Sequence, residues 1–324
     1  MTTGTVAQPL EVGVGFWSMQ STYMRPIRPP AVYREAVTEA RTVEQLGFDT
    51  FWMGEHHLSY DGYCPSLLPA AAGILATTTT LRVASGVLVL PLHPAARVAE
   101  GCAALESLAP GRFRLGLGVG YRPIEFAAAG VDLADRAALV DTRLAALRDE
   151  HRDRIGPADI WLGTGIESGV VRAARFGASV LLMPTVTSRR VPELRARWSE
   201  ALRQVPGAAP ARFGVMRETW VDPDPERVRW ARGRLNEMWR HYSNFWVDDP
   251  LAQRTRRDEL AAQMAGQALF GSPSEVVERL GRLIEAGADT VALRVRFDGV
   301  PGSEVRHCLD RLVEQVLPQL GWRR

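Results

Sequence analysis

The run Glu55-His56-His57 concentrates more reactive groups than any other stretch of the chain. A carboxylate beside two imidazoles admits two chemistries. One is ligation of iron or zinc, which two histidines and a carboxylate can hold. The other is proton transfer near neutral pH, which an imidazole performs at its ordinary pKa. Adjacent residues at a strand end point to opposite sides, so His56 and His57 are not expected to share one ion, and no metal is expected here. No HExxH helix supplies another arrangement. Acid–base work and a plain structural role, with both rings satisfied by local hydrogen bonds, stay open. Two further runs are suited to binding. Gly116-Leu117-Gly118-Val119-Gly120 imitates half a dinucleotide fingerprint, but Tyr121, Arg122 and Pro123 follow at once, which is not the order of a Rossmann unit. It reads as a strand end where glycine lets a flat ligand approach the backbone. Thr164-Gly165-Ile166-Glu167-Ser168-Gly169 places two glycines after a strand and a serine at the start of a helix. Helix-end amides and a hydroxyl hold a phosphate there, though Ser168 also reads as an ordinary N-cap. Glu167 is expected to point away, since an inward carboxylate would oppose a phosphate.

All of these runs follow short apolar segments, and the order of those segments predicts the scaffold. Strands are expected at Val12 to Trp17, Phe48 to Met53, Leu81 to Leu90, Phe113 to Gly118, Asp159 to Gly163, Ser179 to Met183, Phe213 to Val221 and Thr290 to Val295. Helical patterns separate them: Tyr33 to Glu44 ending at Gly47, Pro65 to Thr78, His93 to Leu108, Asp135 to Arg154, Ser168 to Phe176 and Val191 to Arg203. A long helical and irregular region spans Pro223 to Phe270. Ser272-Pro273-Ser274-Glu275 then carries every mark of a helix start: a capping serine, proline in the first position and glutamate three residues after the cap. A last helix covers Gly302 to Leu317. Eight strands alternating with helices predict a closed parallel (β/α)₈ barrel, with an N-terminal tail over 1–10 and one barrel domain over 11–324. In such a barrel the active site lies at the C-terminal ends of the strands, where each of the runs above falls.

The bulk properties agree. At 324 residues and 46% hydrophobic content, the chain is long enough for one large core. A net charge of +2 argues against nucleic acid or membrane partners. The 39 basic residues are all arginine, a bias read as genomic rather than as phosphate recognition. The start of the chain has no signal pattern and no apolar run is long enough to span a bilayer, so a cytoplasmic protein is expected. Cys64, Cys102 and Cys308 lack metal spacing and are expected to be reduced structural thiols.

Three segments together resemble the luciferase-like flavin monooxygenases, in the style of the bacterial luciferase α chain. They are Asp49-Thr50-Phe51-Trp52-Met53-Gly54-Glu55-His56-His57, Arg82 to Pro91, and Gly111 to Gly120; the likeness resumes at Ile160 to Met183 and at Phe270 to Arg294. The resemblance implies a (β/α)₈ barrel that takes reduced FMN from a separate reductase. Oxygen then adds at the flavin C4a carbon, and the resulting peroxide oxidises a small organic substrate. By position it implies that His56 assists this chemistry. It also implies that Gly86-Val87 is a non-prolyl cis peptide beneath the flavin ring. Glu55, Gly120 and Tyr121 fall beside the flavin, and Thr164, Gly165, Glu167 and Ser168 near its phosphate. Pro65 to Thr78 and His93 to Leu108 match the family's homodimer interface. The chain departs from the pattern in three places. The luciferase arginine that contacts the phosphate is replaced by Val119, leaving Arg112, Arg122 or Arg172 to compensate. His93-Pro94 lies one residue out of register, and the segment before the fifth strand is short, so the aromatic stretch Trp230 to Trp246 is read as either a lid or a packed helix. The same fold also serves deazaflavin-dependent hydride transfer, metal-dependent hydrolysis and non-catalytic family members.

Overall fold

The computed structural model describes residues 9–16, 29–59, 63–149, 160–207, 210–243 and 254–323. Most of the N-terminal tail, the Trp17 end of the first strand, Asp159, the helical continuation to Arg154, and Phe245 and Trp246 lie outside the described residues. Strands β1 (Glu11–Phe16), β2 (Thr50–Met53), β3 (Arg82–Ser85), β4 (Leu88–Val89), β5 (Phe113–Gly118), β6 (Ile160–Thr164), β7 (Ser179–Leu182), β8 (Phe213–Val221), β9 (Leu269–Gly271) and β10 (Thr290–Arg294) alternate with helices. The helices are α1 (Pro29–Gln45), α2 (Leu67–Leu75), α3 (Ala95–Leu108), α4 (Pro123–Ala128), α5 (Arg136–Asp149), α6 (Glu167–Arg175), α7 (Val191–Arg203), α8 (Pro225–Ser243), α9 (Arg254–Gln267), α10 (Pro273–Glu285) and α11 (Gly302–Arg311).

The strands pair in parallel in the order β10-β1-β2-β3-β5-β6-β7-β8, and β8 pairs with β10 to close the ring. This is the expected (β/α)₈ barrel. Parallel strands covered on both faces are mostly apolar, and β2, β5, β7, β8 and β10 are buried at every position, with the charges of Arg114, Arg217, Glu218 and Arg294 among them. Inside the barrel, Trp52, Ala84, Trp161, Leu181, Met216 and Ala292 form a plug, with Trp52 and Trp161 edge to face at 5.4 Å. The N-terminal mouth is closed by charge. Arg114 lies over the Trp161 ring and donates to Glu11 Oε1 at 2.9 Å, while Arg82 reaches the same oxygen at 3.1 Å. Burial alone would raise the Glu11 carboxyl, but the hydrogen bond and charge of Arg114, with Arg212 and Arg82 behind it, hold it below its ordinary value. With plug and charge filling the lower barrel, the open space is at the C-terminal mouth.

Several boundaries differ from expectation for identifiable reasons. The predicted strand Leu81 to Leu90 is broken at the Gly86–Val87 peptide, which is cis. Below the break β3 pairs with the first half of β5; above it β4 pairs with Leu117 and Gly118, and a short 3₁₀ turn follows at Leu90–Leu92. A Cβ on Gly116 would lie 1.8 Å from the Ser85 carbonyl oxygen, and one on Gly118 would lie 2.4 Å from Val87 Cγ2. These two glycines, read from the sequence as room for a ligand, first make room for the neighbouring broken strand. Helix α2 is shorter than Pro65 to Thr78. Helix α6 starts at Glu167 with extended Ile166 before it and no side-chain cap, so Ser168 lies inside the first turn and is not the cap. The region Pro223 to Phe270 resolves into α8, α9 and the three-residue β9, which pairs with the upper end of β8. The capping box of Ser272 and Glu275 forms as expected. The last helix ends at Arg311 and continues as π and 3₁₀ turns to Leu320. The three cysteines are buried and free, their thiols pushed up to about 12 by burial. Among the described residues, no helix is long and apolar enough to cross a membrane.

Candidate active site

A cavity of about 500 Å³ opens at the C-terminal ends of the strands. Eight of the residues singled out by sequence line it: Glu55, His56, Gly86, Val87, Gly120, Tyr121, Thr164 and Gly165. Glu167 and Ser168 do not. They face an adjoining groove between α5 and α6, and Arg172 lines both spaces. The floor is the broken strand. Val87 lies where a Cβ on Gly118 or on Gly163 would fall, 2.4 Å from either, so its side chain is wedged between β5 and β6. Gly120 turns the chain at φ +70°, where a side chain would also strike Val89 and Phe126, and Tyr121 follows it into the cavity.

His56 stands at the end of β2 with partners on both ring nitrogens. Nδ1 lies 2.9 Å from Glu125 Oε1, and Nε2 lies 2.9 Å from the Tyr242 hydroxyl and 3.1 Å from that of Tyr121. The two phenol oxygens also touch each other. Glu125 is buried on α4 and takes two more bonds, from the His57 amide at 2.9 Å and from Arg122 Nη1 at 2.8 Å. Burial would raise this carboxyl, but the bond and charge of His56, the His57 amide and Arg122 hold it below its ordinary value. A carboxylate can only accept, so Glu125 fixes the His56 proton on Nδ1 and turns the Nε2 lone pair to the phenols. Burial pushes the Tyr242 hydroxyl up to about 12, keeping it a proton donor.

His57 turns the other way, as its place next to His56 requires. Its Nε2 lies 2.7 Å from Glu55 Oε1, and His93 Nε2 lies 2.6 Å from the same oxygen. Glu55 Oε2 accepts the Val89 amide at 2.6 Å. Burial acts to raise the Glu55 carboxyl, but the bonds from His57 and His93 bring it down to about 2. The bond to Glu55 is also the main reason the His57 imidazole is raised.

At the far end, the Thr164 hydroxyl accepts the Ile166 amide at 3.3 Å, and Gly169 packs so closely on Thr164 that a Cβ would lie 1.9 Å from that oxygen. Glu167 pairs outward with Arg197 at 3.3 Å. Of the three arginines considered as replacements near Val119, two are committed elsewhere. Arg112 donates to the Leu75 and Leu81 carbonyls at the opposite end of the barrel, and Arg122 is held by Glu125 and the His57 carbonyl. Arg172 alone borders the cavity, its Nε 2.6 Å from Asp141.

The residues that sequence reasoning missed come from distant segments. Glu125 had one local sign, a carboxylate in the first turn after Pro123. Tyr63 and Arg294 had none. Arg294, buried at the end of β10, pairs with Glu218 and lies over the Trp239 ring at 5.6 Å. Trp239 and Tyr242 answer the lid-or-helix alternative for the described part of that stretch: α8 packs Trp239 into the core and also brings both rings to the cavity wall.

Comparison with known proteins agrees with this geometry. The model of the luciferase-like monooxygenase family matches residues 14–290. A 4-hydroxyprotoasukamycin monooxygenase from Streptomyces nodosus subsp. asukaensis is 35% identical over 283 residues, 76% of each chain. An uncharacterized protein of Sinorhizobium fredii is 30% identical over 174 residues, 47% of this chain and 50% of that one. The alkanal monooxygenase alpha chain of Photorhabdus laumondii is 32% identical over 127 residues, 39% of this chain and 35% of that one. The chain thus spans half or less of the length of several relatives it matches. Among solved structures, a monooxygenase from Streptomyces bottropensis superposes with a TM-score of 0.79 at 20% identity, over 95% of this chain and 99% of that one. The oxygenating constituent of 3,6-diketocamphane monooxygenase from Pseudomonas putida, in complex with FMN, gives 0.73 at 16% identity, over 96% and 99%. An F420-dependent secondary alcohol dehydrogenase gives 0.74 at 16% identity, over 97% and 99%. With the family model covering most of the barrel, and with the strand-end residues gathered into one cavity, the chain belongs to the luciferase-like monooxygenase family.

Proposed function

We propose that this enzyme is a monooxygenase that binds reduced FMN, delivered by a separate reductase, and uses O₂ to oxidise a small organic metabolite. The observation that carries the reading is that one continuous cavity joins a wedged strand break, an imidazole with a fixed tautomer and the start of a helix. The residues fit the cofactor on chemical grounds. The Gly86–Val87 segment offers a flat floor for a ring system. At the other end, the amides at the start of α6 and Arg172, which borders both the cavity and the groove that Ser168 faces, would hold a phosphate. Reduced flavin bound there supplies two electrons, so that one atom of O₂ enters the substrate and the other leaves as water.

The chain's own contribution is position, proton control and exclusion of water. Glu125 keeps the His56 proton on Nδ1, so Nε2 is the atom that accepts a proton from, or shares one with, the Tyr121 and Tyr242 hydroxyls. Trp239 and Tyr242 cover the site with apolar ring surface. The functional unit is a cytoplasmic homodimer joined through α2 and α3, whose small residues permit close approach; Gly73, Ala96, Ala104 and Leu108 are exposed there.

A second reading keeps the fold but takes a deazaflavin for hydride transfer. It is favoured by the groove beside Ser168, where Arg148, Arg172 and Arg175 would meet an anionic tail longer than that of FMN. Parallel anaerobic titrations with reduced FMN and with a reduced deazaflavin, followed by absorbance, separate the two. Saturable binding of reduced FMN, weakened in Arg172→Ala, is expected. Binding of the deazaflavin alone would overturn the FMN reading.

A further inference from the structure

His56 and His57 point apart, but His57 meets a third imidazole, that of His93. The loop before α3 brings that ring to the same carboxylate oxygen that His57 reaches from the end of β2. We propose that Glu55, His57 and His93 form a site for a divalent transition-metal ion of the zinc class, in the cavity wall but apart from the proton path through His56.

Three ligand atoms, one from each residue, all lie within 4.8 Å of one another. Their chemistry is selective. Two imidazole nitrogens and one carboxylate suit Zn²⁺, Co²⁺ or Ni²⁺ better than Mg²⁺ or Ca²⁺, which want oxygen, or Cu⁺, which wants sulfur. The carboxylate donor is fixed from behind, and the backbone that carries each imidazole is held in place. The second oxygen of Glu55 is tied to the Val89 amide at 2.6 Å. The His57 backbone is held on both sides, its amide by Glu125 at 2.9 Å and its carbonyl by Arg122 at 2.8 Å. The His93 amide donates to the Leu90 carbonyl at 3.0 Å. Arg122 and Glu125 pair with each other, so the nearest other charges offset one another and Glu55 supplies the net attraction for a cation. Access favours an ion that keeps water: the Glu55 side chain is 1% exposed, but both imidazoles are 28% exposed and meet solvent. In the hydrogen-bonded arrangement both Nε2 atoms point at Glu55 Oε1. With each imidazole carrying its proton on Nδ1, the two Nε2 lone pairs and that oxygen are the donors, and they draw apart from 2.7 and 2.6 Å to admit one ion between them. Such an ion would tie the end of β2 to the loop after β4.

The test uses tag-free, flavin-free protein, so its failure leaves the monooxygenase reading untouched. Zn²⁺ binding is measured by equilibrium dialysis, the visible absorption of added Co²⁺ reports nitrogen and oxygen ligation, and thermal melting with and without Zn²⁺ reports folding. One ion per chain is expected, with a rise in melting temperature. His57→Gln and His93→Gln should each weaken binding about tenfold or more and remove that rise. His307→Gln, on the distant α11, should change neither. If a substitution at His57 or His93 prevents folding, Glu55→Gln, which keeps the size and neutralises the charge, is used in its place. Equal Zn²⁺ affinity in the wild type and a folded His93→Gln variant would overturn the proposal, as would less than one tenth of an ion per chain at saturation.

Discussion

At His56 the contact that decides its behaviour is the one to Glu125, because a buried carboxylate with three donors sets the tautomer and the orientation of the ring together. Removing the imidazole in His56→Ala should lower turnover by about 10²-fold or more while reduced-FMN binding changes little, the usual size of an acid–base contribution. Steady-state turnover beside a binding titration reads both. Glu125→Gln keeps the shape but strips Arg122 of its charged partner. It should cost about 3 kcal/mol in urea unfolding, the typical penalty for breaking one side of a buried pair, and should also slow turnover. A Glu125→Gln enzyme with unchanged stability and turnover would show that the carboxylate does not hold His56. The sequence made the Glu-His-His run conspicuous because its members are adjacent. It could not reveal that Glu125 and Tyr242 would meet His56, since they lie 69 and 186 residues away and nothing local marks the encounter.

Among the elements, the eight strand positions were readable because strands covered on both faces form short, mostly apolar runs, even where a buried charge such as Arg114 or Glu218 interrupts them. The break inside Leu81 to Leu90 was invisible to the same logic. Leu88, Val89 and Leu90 remain apolar and buried whether or not the strand is continuous. The resemblance implied the cis Gly86–Val87 bond, but its local marks are only Gly86 and the glycines facing it in β5 and β6, and a glycine that clears a neighbouring strand looks the same in sequence as one that clears a ligand. Gly116→Ala distinguishes them. Its Cβ would meet backbone rather than a flexible side chain, so the barrel should lose about 3 kcal/mol or more, the upper range of overpacking, even with no cofactor present. Unchanged unfolding of the flavin-free protein would mean that β3 does not press on β5. The start of α6 carries a similar lesson. Serine beside glycine reads as a cap, yet the helix takes in Glu167 and the serine falls within its first turn.

Across the whole molecule, polar groups close one end of the barrel and leave the other for chemistry. Glu11 is central to the closed end. Its carboxyl lies below the ordinary 4.5 in the folded state, so its contribution is complete above the unfolded value and is lost as pH falls through the lower folded value. Glu11→Gln should therefore lower the urea midpoint most near about pH 7. The gap to the wild type should narrow as the pH falls from 4.5 and close below the lower folded value, where both chains carry a neutral side chain. A constant gap across that range would contradict the ion pairing. Assembly belongs to this scale as well: light scattering at micromolar concentration should give the mass of a dimer, and a monomer would remove the proposed role of α2 and α3.

The most direct measurement is made on the loaded protein. Enzyme saturated anaerobically with reduced FMN is mixed rapidly with oxygenated buffer, and the flavin spectrum is followed to full oxidation. A cavity that positions the flavin, excludes water and controls protons through His56 should make reoxidation markedly slower than that of free reduced FMN, with His56→Ala altering the course. Reoxidation indistinguishable from free flavin, at concentrations where the binding titration shows saturation, would contradict the proposal that this cavity directs the reaction of reduced flavin with oxygen.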